Sequence, residues 1–70
     1  MYQDWQPRPL SSLGDYIGKA ILLICEHGAF KGGLKDITPT EIHIEVGMGE
    51  VISVDRKVLE SDLTELYTLS

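Results

Sequence analysis

Cysteine occurs once in the 70 residues, at Cys25, so the chain forms no internal disulfide and lacks the thiolates of a cysteine-rich zinc site. A lone cysteine inside an apolar run also fits a reducing compartment. Positive charge is scarce: six Lys and Arg stand against eleven Asp and Glu, a formal net charge of −5. Proteins that coat phosphate backbones do so through lysine and arginine, and this balance argues against a duplex-coating role. Long apolar runs are missing too. The longest, Ala20 to Cys25, falls far short of the roughly 20 residues that cross a bilayer. The opening "MYQDWQPRP" has neither a basic start nor an apolar core, so it does not read as a signal peptide. A cytoplasmic location follows by default, with no membrane partner. No internal repeat or low-complexity segment is present.

A chain of this length makes one domain and buries only about 60% of its unfolded surface. Such a core rarely supplies more than about 3–5 kcal/mol of net stability, and folds of this size usually lean on disulfides, metal or self-association. With the first two disfavoured, self-association is the expected support.

Residues 1–8 are polar, proline-bearing and unpatterned, and read as a flexible tail ahead of a single domain over 9–70. Tyr2 and Trp5 are the residues of this tail that a fold-back or a neighbouring subunit would use. Ser11 or Ser12 can cap a short helix whose apolar face is Leu10, Leu13 and Ile17, with Gly18 at its end. Lys19 to Glu26 is a strand apolar on both faces, so both faces need cover. After a turn at His27 and Gly28, Ala29 to Ile37 returns with Phe30, Gly32 and Leu34 on one face. Lys31, Gly33 and Lys35 occupy the other, and adjacent glycines there predict a sharp bend. "EIHIEV" alternates cleanly, with Ile42, Ile44 and Val46 inward. A glycine-framed turn at 47–50 leads to a fourth strand from Val51 to Val58. The end fits either a helix or a strand, and we read a turn near Glu60 to Asp62 followed by a fifth strand. A mainly β chain results: a short N-terminal helix, then a five-stranded, strongly bent SH3-like barrel.

The stretch from Pro9 to Ile44 resembles the Sm-like family. Tyr16, Ile17, Gly18 and Lys19 match its step from helix into first strand, and Phe30, Gly32 and Leu34 match its first motif. Where the family carries an aspartate and an asparagine, this chain has Thr38 and Glu41. Arg56, Lys57 and Val58 lack the glycine of the second motif. The resemblance implies a barrel that assembles into a homo-oligomer, such as a ring, and binds single-stranded RNA on the ring surface. In that reading Lys31 and Lys35 are phosphate contacts and His43 is a base contact. The alternative is an SH3-like protein-interaction or structural homo-oligomer without RNA, in which Leu22 and Ile24 form subunit contacts and Trp5 is a docking anchor.

Catalytic and metal chemistry find little to stand on. Cys25, His27 and His43 are the only soft ligand types, but Cys25 ends an apolar run and His27 sits at a turn. Ser53, His43 and Asp55 are the components of a triad without any motif that marks one. "HGAFKGG" lacks the lysine-serine/threonine ending of a phosphate loop. The expectation is a protein that is not an enzyme, with no cofactor and no metal.

Overall fold

The computed structural model describes residues 4–69. Six antiparallel strands form one sheet: β1 Trp5–Arg8, β2 Ala20–Cys25, β3 Gly28–Ile37, β4 Glu41–Glu45, β5 Val51–Asp55 and β6 Glu65–Leu69. Their order across the sheet is β1-β6-β2-β3-β4-β5. Two 3-10 segments, Leu10–Tyr16 and Arg56–Glu60, connect β1 to β2 and β5 to β6. Among the described residues none lies in an α-helix, and none forms a helix long and apolar enough to cross a membrane.

These findings correct the expected five-stranded barrel with an N-terminal helix. Among the described residues the sheet has six strands and stays open, with β1 and β5 as its edges and no ladder between them. The reason is local. β6 bonds β2 on one side and β1 on the other, so it offers no edge to β5. β5 in turn runs straight into the second 3-10 segment, where the Asp55 carboxylate accepts from the Lys57 amide and turns the chain away.

Residues 5–8, expected in a flexible tail, are β1, paired with β6 from Trp5 opposite Leu69 to Arg8 opposite Leu66. Tyr2 lies outside the described residues. The N-terminal helix is replaced by a 3-10 segment because its apolar residues repeat every three positions. Leu10, Leu13 and Tyr16 eclipse on one face and pack on the core, while Ile17, which an α-helix would have used, is 48% exposed. Gly18 leaves the segment with φ 88°, a conformation that favours glycine, and its amide donates to the Leu34 carbonyl at 2.7 Å. The ambiguous end of the chain is a strand.

The curled inner face holds the core. Ile21 and Leu23 of β2, Leu34 of β3, Ile42 and Ile44 of β4 and Leu66 of β6 are fully buried. Leu13 joins them from the first 3-10 segment, and Val58 and Leu59 pack from the second. Burial of each such side chain contributes about 1.5–3 kcal/mol. The predicted bend in β3 has two parts. At Gly32 a Cβ would stand 2.1 Å from the Glu45 carbonyl oxygen, so only glycine lets β4 cross so closely. Two residues on, a bulge between Leu34 and Asp36 shifts the register against β4.

Both buried polar side chains among the described residues are satisfied. The Thr68 hydroxyl, 2% exposed, accepts from Arg8 Nε at 2.9 Å, and Thr64 donates to the Val58 carbonyl. The first bond ties β1 to the sheet.

Candidate functional site

Direct cross-strand partners share a face, so the register defines the outer surface. One row crosses four strands as Pro7, Tyr67, Leu22 and Lys31. Trp5 beside Leu69 flanks it on one side, and Glu65, Ile24 and Ala29 on the other. The outer surface of β1, β6 and β2 is therefore largely apolar. Trp5, Tyr67, Leu22 and Ile24 are half-buried there, and Leu69 is exposed.

Beyond β3 the same face becomes charged. Asp36, His43 and Ser53 form one row, Glu41 and Asp55 another, and Glu45 stands beside Val51. Lys35 Nζ lies 3.2 Å from Glu45 Oε1, and His43 Nε2 lies 3.2 Å from Glu41 Oε1. The Lys35–Glu45 ion pair is partly solvated and contributes little to stability. The effect of these two contacts on recognition is larger, because each presents a carboxylate beside the basic side chain.

The structure thus separates the residues that the RNA reading groups. Lys31 sits beside Leu22 at the margin of the apolar half. Lys35 and His43 lie in the charged half, each with a glutamate partner. Lys19 is 5.9 Å from the centre of the Tyr16 ring. Leu22 and Ile24, read from sequence as interface, share one face of β2 with Tyr67 and Glu65 of β6 opposite them. Cys25 and His27 sit at the β2–β3 end while His43 is on the outer face of β4, and no group of three His, Cys, Asp or Glu residues able to hold a metal occurs among the described residues. Ser53 does stand opposite His43. Among the described residues, however, no hydrogen bond joins these two side chains.

Sequence reasoning missed the part of the surface built by Trp5, Pro7, Tyr67 and Leu69. Trp5 and Pro7 alternate with Gln6 and Arg8, a period-two signal only four residues long and interrupted by proline.

One ionisation on this surface is displaced. The Tyr67 hydroxyl donates to Glu65 Oε1, and that bond, with the nearby carboxylate charge, raises the phenol above its ordinary value of 10.0. Deprotonation breaks the bond and sets two negative charges side by side. Alkaline titration followed by phenolate absorbance should therefore show a late component that disappears in Tyr67→Phe. In Glu65→Gln that component should move down toward 10.0. An unchanged late component in Glu65→Gln would refute the assignment.

Comparison with protein-family models, with characterised proteins and with solved structures yields no match for this chain.

Proposed function

We propose that this protein is a self-associating protein-interaction module whose copies meet through the outer face of β1, β6 and β2. One observation carries the reading: the register gathers Trp5, Pro7, Tyr67, Leu69, Leu22 and Ile24 onto a single contiguous face. Aromatic residues concentrate at interfaces and at their energetic centres, and apolar patches of more than a few hundred Å² are uncommon on monomers. A second copy is the favoured occupant because the chain has a small core and a single cysteine. Self-association supplies what a disulfide would otherwise give. RNA is disfavoured by the carboxylate partners of Lys35 and His43 and by the net charge of −5.

Light scattering over a range of protein concentrations tests this. The expected mass is a multiple of the 7.8 kDa chain, unchanged by uridine- or adenine-rich RNA at low and moderate salt. Leu22→Lys places a charge on the patch without touching the core, and should shift the protein to monomer while its circular dichroism is retained. Trp5, the only tryptophan, should then emit at longer wavelength. A wild-type monomer, or RNA uptake that falls steeply with salt, would refute the reading.

A further inference from the structure

The two edges of the open sheet differ. β1 has four residues, and one of them, Pro7, has no N–H to offer a neighbour. β5 has five residues, no proline and an unbroken register with β4. The Arg56 amide donates to the Thr40 carbonyl and the Val46 amide to the Glu50 carbonyl. Two-residue periodicity between these bonds aims the amides and carbonyls of Ile52 and Val54 at β4. Those of Val51, Ser53 and Asp55 point away from β4, to a side on which no described strand pairs. Natural sheets usually blunt such an edge with lysine, proline or a bulge, and β5 carries none of these.

This edge also borders a cleft of about 320 Å³ between β5 with its following 3-10 segment and the β2–β3 end. Cys25, Phe30, Val54 and Val58 contribute apolar walls, and His27 and Lys57 stand at its rim. A row of unpaired backbone groups beside an apolar recess is the arrangement that accepts an extended peptide. Main-chain bonds supply affinity, and the recess selects alternate side chains.

We infer that the β5 edge and this cleft bind an extended peptide segment of a partner protein, which adds as a seventh strand and seats an apolar side chain between Phe30 and Val58. The two edge strands of a second copy do not suit the site. In β5 the inward residues Ile52 and Val54 pack against their own core and cannot fill a second recess. In β1, Pro7 lacks a donor. The ligand is therefore a segment outside any sheet, with its apolar side chain free. Glu26 and Asp55 near the rim are offset by Lys57 and Arg56, so the seated residues need no charge. The overall charge of −5 favours basic flanks.

The test is amide mapping by heteronuclear NMR on the full chain with the capped synthetic peptide Lys-Thr-Val-Thr-Leu-Thr-Lys. Saturable shifts are expected at Val51, Ser53 and Asp55, together with slower hydrogen exchange at Ser53. Two backbone N-methylated forms of the peptide, methylated at alternate residues, should differ. The form methylated toward β5 should bind at least tenfold more weakly, and the other within about twofold of the parent. Ser53→Pro, which removes the central donor, should also weaken binding at least tenfold, and the methylated peptides decide the matter even if that variant fails to fold. No saturable shift at millimolar peptide, equal binding of both methylated forms, or shifts confined to the outer face would overturn the site. Protection of Ser53 on concentrating the protein alone would overturn the choice of occupant. Amide transverse relaxation in the same samples reports whether one chain or several are present, so this site and the self-association reading fail separately.

Discussion

Gly32→Ala should cost the protein a large share of its stability, whereas Gly33→Ala, at the next residue, should leave it folded and slightly more stable. The added methyl at position 32 would stand 2.1 Å from the carbonyl oxygen of Glu45, 2.9 Å from its carbon and 3.1 Å from Ile44 Cγ2. The first two are backbone atoms of β4 and cannot rotate aside. The strand itself must move, and Ile42 and Ile44, both fully buried, move with it. Overpacking of this kind costs about 1–3 kcal/mol, against a total of about 3–5 kcal/mol for a core of this size. At Gly33 nothing lies within 4 Å of the new methyl group. Relief of the unfolded-state entropy of glycine then contributes about 0.5–1 kcal/mol in the favourable direction. Urea unfolding of the two variants measures the contrast, and equal midpoints would refute the close approach of β3 and β4.

Removing residues 1–8 should destabilise the remaining chain and make it prone to aggregation. The deletion uncovers the edge of β6 from Leu66 to Leu69. It leaves the Thr68 hydroxyl, 2% exposed in the intact fold, without the Arg8 guanidinium that donates to it. A hydrogen bond to a charged partner contributes about 1.5–3 kcal/mol when well shielded. Solvent around the exposed Arg8 discounts this to about 1 kcal/mol. The larger effect is the new edge, a row of unpaired backbone groups in a strand that carries Tyr67 and Thr68. Thermal unfolding by circular dichroism should show a lower midpoint, and time-resolved light scattering a growing mass. Arg8→Ala in the full chain isolates the hydrogen bond and should show the smaller stability loss without the aggregation. A shortened chain that matches the full one in both measurements would return residues 1–8 to the status of a tail.

That contrast marks where the sequence was legible. β2 to β4 stood out because each offers five or more residues of strong pattern, either apolar on both faces or strictly alternating. The bend in β3 was visible in Gly32 and Gly33, but not which of the two was indispensable. That depends on Glu45, thirteen residues away, and on a crossing no local pattern records. β1 was hidden by its length and by Pro7. Its strand character comes almost wholly from β6, a partner some 60 residues downstream. The closure of the sheet was misjudged for the same reason. Five strands read from sequence leave β6 an empty edge, and the sixth takes it.

For the outer face the outcome was mixed. Leu22 and Ile24 were readable as surplus apolar surface on a two-sided strand. The lysines of β3 were readable as solvent-facing. Their electrostatic setting was not, since Lys35 meets Glu45 only through the register between β3 and β4.

The pairing of Trp5 with Leu69 has a consequence for architecture at larger scale. Trp5 opens the first strand and Leu69 closes the last, and the two stand side by side at one corner of the sheet. A unit with adjoining entry and exit can sit within a surface loop of a larger host without prising the host apart. Copies strung along one polypeptide would each hang from the line by the same corner, with β5 at the opposite edge of the sheet.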